Sequence, residues 1–407
     1  MSGNWPGGFI TKNAPEVVGP VEGEGGSAPG IWTLDQVADY EKQGLWPKPI
    51  LDAELYAWGY NNSGQLGLGD VTNRSSPVQV GALITWSTTA SGERHSLATT
   101  NDGKLYSWGK GTDGRLGLGN TTDRSSPVQV GALTTWANAG AGQAHSLAIK
   151  TDGTLWSMGN GSNGRLGQDN TTSYSSPVQV GALTDWLKVF GGNYHSIAIK
   201  TDGTIWSWGG NGDGQLGYYA PSGKSSPVQV GSNTDWSEVA AGARHSLATT
   251  TDGKLYTWGN NAGFSGQLGL GDTTNRSSPT QVGALTTWLK VAGGGYHSIA
   301  SKTDGTLWAW GWNAYGQLGT NNVTTYSSPV QVGSLTTWAS VAATRDGCFA
   351  TTTENALWGF GRNTEGGLGL GDITNRSSPV QVGALTTWRI MPTSGTATQH
   401  TLAITKS

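Results

Sequence analysis

One sequence unit of about 50 residues recurs seven times along the chain. Its clearest marker is an aromatic or apolar residue followed by glycine, which stands at Trp58, Trp108, Met158, Trp208, Trp258, Trp310 and Phe360. The intervals between these positions are 50 residues in every case but one, which is 52. A block Ser-Ser-Pro-Val-Gln-Val-Gly keeps the same period, with Thr280 as its one change. A period of this length indicates one supersecondary unit per repeat, stacked into a solenoid or a propeller.

Each repeat contains four short β-rich runs, as residues 86–135 illustrate. The first run starts at Trp86 and ends in small residues, which suits a strand in a crowded position near a central axis. The second and third runs are joined by Asp102-Gly103, a strong hairpin signal. The fourth run begins at Pro127, which lacks an N–H donor and therefore favours an outer edge. This order predicts the blade of a β-propeller.

The two ends of the repeat region predict how the ring closes. The chain enters its first repeat at a third strand, residues 55–59, and leaves after a second strand, residues 401–405. One blade must then take two strands from each end of the chain. The predicted fold is all-β, a seven-bladed β-propeller with two-plus-two strand closure over residues 53–407. Residues 1–52 are predicted to form a separate N-terminal arm, extended and with one short helix.

Composition limits the classes of function. The chain has 407 residues and a net charge of −3, and residues 1–52 hold seven acids and three lysines, so the repeats are near neutral. Binding to a nucleic-acid backbone is therefore not expected. Cys348 is the one cysteine, so no intrachain disulfide is possible. The sequence shows neither a 20-residue apolar run nor a signal-peptide pattern, which predicts no membrane insertion and folding in the cytoplasm.

The repeat motifs resemble those of the regulator of chromosome condensation family. The shared pattern reads His-Ser-Leu-Ala, then Asp-Gly-x-Leu-Tyr-x-Trp-Gly, then Gly-Gln-Leu-Gly-Leu-Gly-Asp, and it covers residues 53–407. The resemblance implies a seven-bladed propeller with two-plus-two closure. Its founding member exchanges nucleotide on a small GTPase on chromatin, whereas other members are binding platforms or regulators. Most loops here are near-copies of one another, so the resemblance favours the fold more than exchange activity.

The N-terminal arm has a different composition from the repeats. Residues 1–30 are rich in proline and glycine and predict an extended strap. A capping box of Thr33 and Gln36 predicts a short helix over 34–43, which Gly44 ends. A helix of three turns is marginal alone and needs a partner surface. The side chains expected to dock the arm are Trp5, Trp32, Leu34, Val37, Tyr40 and Trp46.

Residues 31–47 resemble a short motif of structural proteins of tailed bacteriophages, an aromatic-(Ser/Thr)-Leu sequence followed by Gly-x-Trp-Pro. This resemblance implies a virion component, such as a tail fibre, spike or surface decoration, whose arm docks on other virion proteins. The propeller would then be displayed, with its loops facing a host-surface glycan or protein. The alternative is that the helix caps its own propeller. Oligomeric state is left open by the sequence.

All six histidines occupy one slot of the repeat, so the fold should arrange them in a ring. They stand at His95, His145, His195, His245, His297 and His400. Equivalent slots on neighbouring blades are too far apart for one tetrahedral metal, and no other ligand recurs beside them. We predict no metal, and expect each ring N–H to donate to a backbone carbonyl. The sixth repeat breaks the pattern with Arg345-Asp346-Gly347-Cys348.

No catalytic constellation stands out from the repeat background. The Gly-Gln-Leu-Gly-Leu-Gly-Asp segment lacks the Lys-Ser/Thr of a phosphate loop, and no Ser/His/Asp set is evident. The sequence therefore predicts no enzyme, no cofactor and no metal. Departures from the repeat consensus are the candidate ligand or partner positions, namely Tyr218, Tyr219, Phe264, Trp312 and Tyr315. Scattered exposed aromatics are the alternative interpretation.

Two functional hypotheses follow from the sequence. The first is a non-enzymatic phage virion component that docks through residues 1–50. The second is an intracellular regulatory propeller, located in the cytoplasm, that binds a protein partner in the manner of an exchange factor. The phage-like motif of the arm favours the first, and the repeat family favours the second.

Overall fold

The computed structural model describes residues 53–405 except for 221, 264 and 390–397. The predicted arm, with its helix over 34–43, lies outside the described residues, as does Phe264. The described chain forms seven antiparallel sheets of four strands each, and these sheets are the seven blades of a propeller. The predicted fold class is confirmed.

The strands follow the repeat. The chain starts with β1 (Leu55–Gly59) and β2 (Arg74–Gln79) of the closing blade. Blade 1 contains β3 (Trp86–Ser91), β4 (His95–Thr100), β5 (Leu105–Gly109) and β6 (Arg124–Gln129). Blade 2 contains β7 (Trp136–Ala141), β8 (His145–Lys150), β9 (Leu155–Gly159) and β10 (Tyr174–Gln179). Blade 3 contains β11 (Trp186–Gly191), β12 (His195–Lys200), β13 (Ile205–Gly209) and β14 (Lys224–Gln229).

The second half of the ring repeats this layout. Blade 4 contains β15 (Trp236–Ala241), β16 (His245–Thr250), β17 (Leu255–Gly259) and β18 (Arg276–Gln281). Blade 5 contains β19 (Trp288–Gly293), β20 (His297–Lys302), β21 (Leu307–Gly311) and β22 (Tyr326–Gln331). Blade 6 contains β23 (Trp338–Ala343), β24 (Gly347–Thr352), β25 (Leu357–Gly361) and β26 (Arg376–Gln381). The closing blade ends with β27 (Trp388–Arg389) and β28 (His400–Thr405), and single-turn 3-10 helices span Thr112–Gly114 and Ser162–Gly164.

The first strand of each blade lies at the axis, as its small residues predict. In blade 1 the strand order is β3-β4-β5-β6, and β3 packs against β7 of blade 2. The approach is close: a Cβ on Gly140 of β7 would lie 2.5 Å from the carbonyl oxygen of Val189 on the next inner strand. The proline-bearing strand, β6 in this blade, forms the outer edge.

The closing blade joins the two ends of the described chain. Its strand order is β2-β1-β28-β27, so two strands come from each end. The register runs from Leu55 opposite Ile404 to Gly59 opposite His400. This is the pairing that the repeat boundaries predict. The ring is therefore held closed by a strand ladder, without any covalent link.

Large apolar side chains fill the spaces between blades. The tryptophan of the third strand, such as Trp108, is fully buried. Its indole N–H donates to the carbonyl of Gln65, which belongs to the closing blade, over 2.9 Å. Burial of such a ring contributes both apolar area and a satisfied donor across the blade boundary. Neighbouring blades are thus linked by packing and by hydrogen bonds at once.

The propeller has two faces with different connections. The turn face carries the hairpins between second and third strands, such as residues 101–104, and the crossovers to the next blade, such as residues 81–85. The loop face carries the turns between first and second strands, such as residues 92–94. It also carries the long loops between third and fourth strands, such as residues 110–123.

Two glycines of the turn face, one in a hairpin and one in a crossover, allow a direct test of the blade geometry. Gly153 has φ +75°, and a Cβ there would lie 2.1 Å from the carbonyl oxygen of Thr184. Gly181 has φ +59°, but a Cβ there would meet nothing within 4 Å. Gly181→Ala should lower the free energy of unfolding by about 1 kcal/mol, because an alanine is strained in the left-handed conformation. Gly153→Ala should lower it by at least about 3 kcal/mol, because a steric clash is added to that strain. Denaturant unfolding of both variants measures the difference, and equal losses would contradict this geometry.

Candidate functional site

Near-identical blades make the variable slots easy to recognise. One slot directly precedes the histidine, and its occupants are Arg94, Ala144, Tyr194, Arg244, Tyr296, Asp346 and Gln399. A second slot directly follows the third strand, and its occupants are Tyr60, Lys110, Asn160, Gly210, Asn260, Trp312 and Arg362. The two slots are hydrogen-bonded neighbours, since the Trp312 N–H donates to the Tyr296 carbonyl over 2.9 Å. Both slots lie on the loop face.

An aromatic cluster on the loop face joins blades 5 and 6. We use "aromatic cluster" for Tyr296, Trp312, Tyr315 and Arg362. Trp312 makes edge contacts with both tyrosines, at ring centroid distances of 6.3 Å to Tyr296 and 5.2 Å to Tyr315. The Arg362 guanidinium lies 5.3 Å from the centre of the Tyr315 ring. Tyr296 is 42% exposed, so this cluster presents ring surface to solvent.

A second group of the same chemistry joins blades 2, 3 and 4. The ring of Tyr194 lies between two guanidinium groups, with Arg165 at 5.2 Å and Arg244 at 5.4 Å. Arg165 is held by a hydrogen bond of 3.0 Å to the Asn193 carbonyl, and Arg244 lies 3.4 Å from an Asp213 carboxylate oxygen. Tyrosine, tryptophan and arginine are the residues that most often dominate protein interfaces. The loop face therefore carries the composition of a protein-binding surface.

Asp346 connects the aromatic cluster to the break in the histidine ring. Its carboxylate is buried, and it lies 3.2 Å from Arg362 and 3.7 Å from Arg345. Burial raises the pKa of Asp346, and the two arginines counteract part of that rise. Arg362 also lies 3.3 Å from Glu365. These ion pairs hold the Arg362 guanidinium in place against the Tyr315 ring.

The histidines form a ring of inter-blade hydrogen bonds, but the expected acceptor is wrong. Nε2 of His145 lies 2.9 Å from the hydroxyl of Ser196 on the next blade, so the partner is a side chain and not a backbone carbonyl. The same link recurs for His95, His195, His245 and His400, each with a serine of the following blade. His297 instead meets Cys348 Sγ at 3.1 Å.

The direction of these hydrogen bonds follows from the serines. The Ser196 hydroxyl donates its one proton to the Arg165 carbonyl over 2.8 Å, so it must accept from His145. Nε2 therefore carries a proton. Burial is the main cause that lowers the pKa of every histidine, to about 3 for His195 and to about 4 for His297. These imidazoles are structural ties rather than acids or bases.

Blade 6 shows how the ring is interrupted. Where the other blades have histidine, blade 6 has Gly347, and three residues earlier Thr344 replaces a glycine. In blade 2 that glycine, Gly142, is needed because a Cβ would lie 2.1 Å from His145 Cε1. Thr344 fills the space instead and accepts a hydrogen bond from the Gly347 N–H over 3.1 Å. A cavity of about 20 Å³ remains beside it, lined by Asp346, Arg362, Gly367, Thr398 and Thr401 among others.

Comparison with known proteins identifies the family. Residues 175–407 match the family model of the RCC1-like domain, which is more than half of the chain. The chain belongs to the RCC1-like domain family. Models of the regulator of chromosome condensation (RCC1) repeat also match residues 52–99 and 102–149. A second model of this repeat matches residues 86–115 and 138–165.

Solved structures with the same fold are distant in sequence. Human WBSCR16 is 22% identical with a TM-score of 0.78, covering 87% of this chain and 99% of its own. Prp20p from Saccharomyces cerevisiae, whose structure is described with its binding to Gsp1p and histones, is 20% identical with a TM-score of 0.73 and coverages of 87% and 91%. Yeast RCC1 (Prp20) bound by Kap60 is 19% identical with a TM-score of 0.76 and coverages of 88% and 89%. At these identities the likeness shows the fold alone.

The positions predicted from consensus departures do not share one environment in this RCC1-like propeller. Trp312 and Tyr315 come together in the aromatic cluster. Tyr219 is 91% exposed, whereas Tyr218 packs on the core between blades 3 and 4, where burial raises its pKa to about 12. Phe264 lies outside the described residues. Sequence reasoning missed Tyr194, Tyr296, Arg244 and Arg362, and the variability of the slot before the histidine is the signal that would have found the first three.

The described part of this RCC1-like chain contains neither a candidate metal-ion cluster nor a helix that could span a membrane. Among these residues, no group of three or more histidine, cysteine, aspartate or glutamate side chains could hold a metal ion. Within the same residues, no helix is both long and apolar enough to cross a membrane.

Proposed function

We propose that this protein is a non-enzymatic regulatory propeller that binds a protein partner through its loop face. The observation that carries the proposal is the aromatic cluster, which concentrates tryptophan, tyrosine and arginine where the repeat varies most. Interfaces gain most of their affinity from a few residues of these types. Repeat positions whose only role is to maintain the fold are expected to keep the consensus residue, as most buried positions do. The variation on the loop face therefore favours a binding role for these positions.

The relatives support a protein partner over a virion role. The yeast relative Prp20p is described with Gsp1p and histones, and its complex with Kap60 has been solved. These partners belong to the relative, and we propose only the class of partner for this chain. The intracellular regulatory hypothesis therefore fits the family better than a displayed phage protein. A partner of the Gsp1p type is the first to test.

The loop-face hypothesis makes a quantitative prediction. Replacing Tyr296 and Trp312 by alanine should weaken partner binding by about thirtyfold or more, the loss of a typical hot spot. Both positions lie outside the buried core, so the variant should unfold at the same temperature as the original protein. Purified protein would be tested by biolayer interferometry against Gsp1p and histones, and by quantitative affinity capture from the cells that make it.

The matched control for this prediction lies on the opposite face. Leu133 belongs to a turn-face crossover and is 49% exposed, so Leu133→Ala removes apolar surface without touching the loop face. It should leave partner binding unchanged. Equal binding by the double variant and the original protein, for every partner that the original retains, would refute the loop-face hypothesis.

The virion hypothesis depends on the arm alone. Its evidence is the resemblance of residues 31–47 to a phage motif, and these residues lie outside the described part of the chain. Docking of residues 1–50 on other virion proteins therefore stays a prediction, as do the roles of Trp5, Trp32 and Trp46. Its specific support is that three large apolar side chains lie on a segment too short to bury them by itself.

A further inference from the structure

Three blades enclose a lysine ammonium between two tryptophan rings. In blade 2, Lys150 Nζ lies 3.7 Å from the centre of the Trp156 ring and 5.2 Å from that of Trp136. Blades 3 and 5 repeat the arrangement, with Lys200 and Lys302 at 4.3 Å and 3.6 Å from the outer ring. Such cation–π contacts are attractive because the ring face carries negative charge. The propeller thus fills this type of site with its own cation three times.

Blade 6 builds the same aromatic pair without the cation. Trp338 and Trp358 lie 6.1 Å apart at 81°, which matches the 6.1 Å and 79° of Trp136 and Trp156. The position equivalent to Lys150 is Thr352, whose side chain has no charge. Trp338 is buried, whereas Trp358 keeps part of its surface exposed. The two rings therefore hold the cation-binding geometry in the absence of a lysine.

The outer tryptophan of blade 6 also has an unsatisfied donor. In blade 2 the Trp156 N–H donates to the Thr154 hydroxyl over 2.9 Å, and blades 3 and 5 repeat this bond. In blade 6 the equivalent residue is Ala356, and the buried Trp358 Nε1 has no partner in the structure. A buried donor without an acceptor is unfavourable, so the outer tryptophan of blade 6 lacks a stabilising hydrogen bond that its counterparts in blades 2, 3 and 5 make.

Blade 6 also has an acidic residue in its hairpin turn, as blades 2, 3 and 5 do. In blades 2, 3 and 5 the aspartate of this turn has a lowered pKa, chiefly because it accepts hydrogen bonds from a threonine and to a smaller extent because the lysine is near, as Thr154 and Lys150 are for Asp152. In blade 6 this turn position is Glu354, which is exposed to solvent. The hairpin turn of blade 6 therefore carries a carboxylate at the position of the aspartates in blades 2, 3 and 5.

We propose that Trp338, Trp358 and Glu354 form a binding site for an alkylammonium group, namely the lysine side chain of a partner protein. The ammonium would occupy the place that Lys150 takes in blade 2, against the partly exposed ring of Trp358. The site lies towards the turn face, so it goes beyond the loop-face binding proposed above and does not depend on it.

Butylammonium, which mimics a lysine side chain, is the first probe. Ligand-observed saturation-transfer NMR of the full-length protein should show it binding about threefold to thirtyfold more tightly than 1-butanol, the range expected for a cation–π contact. A blocked Gly-Lys-Gly peptide should bind at least as tightly as butylammonium, whereas its norleucine analogue should not. Equal binding of butylammonium and butanol would overturn the site, and loss of binding on going to the peptide would overturn the partner lysine.

The chain itself offers the matched control. The double variant Thr352→Lys/Ala356→Thr copies blade 2 into blade 6, so its own lysine should fill the site and abolish butylammonium binding. Trp358→Ala, which removes the outer wall, should abolish binding as well and serves if the double variant fails to fold. Undiminished binding by either folded variant would refute the proposal. The loop-face variant Tyr296→Ala/Trp312→Ala should bind butylammonium normally, so the two proposals can fail separately.

Discussion

Lowering the pH from 7 to 5 should unfold this propeller. The cause is the six histidines, all buried and all held neutral by burial. Burial lowers the pKa of His245 and His400 to about 3, as for His195, that of His297 to about 4, and those of His95 and His145 well below the usual value. In the unfolded chain each would titrate near its ordinary pKa of about 6.5.

The sign and size of the effect follow from proton linkage. At a pH between the folded and the unfolded pKa of histidine, the unfolded chain binds protons that the folded chain does not bind. Stability is therefore lost as the pH falls below about 6.5. In this window each buried histidine lowers the free energy of unfolding by about 1.4 kcal/mol per pH unit. The six histidines together lower the free energy of unfolding by about 8 kcal/mol per pH unit. The whole free energy of unfolding of a domain is typically only about 5–15 kcal/mol. The loss accumulated by pH 5 is on the order of 10 kcal/mol, which is sufficient to unfold a domain of typical stability.

Tryptophan fluorescence and circular dichroism against pH would locate the transition, and potentiometric titration would count the protons. We expect a steep, cooperative transition with uptake close to six protons. The control copies blade 6 into blade 2, by Gly142→Thr with His145→Gly, which removes one titrating group and fills its space. That variant should fold at pH 7, take up one proton fewer and unfold at lower pH. A native protein that stays folded at pH 4 would contradict the assignment of neutral, buried imidazoles.

The architecture is predictable from the sequence because nearly every repeat contains the same turn and strand-edge residues. Asp-Gly at the hairpin specifies a left-handed residue, and Gly153 has φ +75° as expected. In blade 6 the slot is Asn355, which adopts φ 60°. Proline at the start of the fourth strand excludes an interior position. Seven copies of one pattern leave little room for error in the number of blades.

Contacts between blades are harder to predict. The link from His145 to Ser196 joins residues 51 positions apart, and only the offset between adjacent blades brings them together. Sequence reasoning assigned a backbone carbonyl because it considered one repeat at a time. Contacts within a blade can also join distant positions: Tyr296 and Trp312 differ by 16 in number and meet through the antiparallel register of blade 5. The functional candidates lie at such junctions, so most of them required the structure.

Deleting residues 399–407 should prevent the propeller from folding cooperatively. The deletion removes β28, which pairs with all of β1. It also removes Leu402 and Ile404, whose side chains are at most 1% exposed. Each of these side chains is worth about 2–5 kcal/mol when removed, so the pair alone approaches the stability of a typical domain. The loss also breaks the link between His400 and Ser96, which ties the closing blade to blade 1.

The deletion would leave β1 paired with β2 on one side only, with an unpaired edge in the interior of the ring, where exposed backbone donors and acceptors promote aggregation. Gel filtration and thermal unfolding should therefore show aggregated protein without a sharp transition. Removing residues 1–50 is the control, because it leaves β1 and its partner intact, and that protein should unfold at about the original temperature. Leu402→Ala and Leu147→Ala, equivalent buried slots in the closing blade and in blade 2, should lose similar stability. If the protein lacking residues 399–407 is monomeric and unfolds cooperatively, strand exchange between the two ends is not what closes the ring.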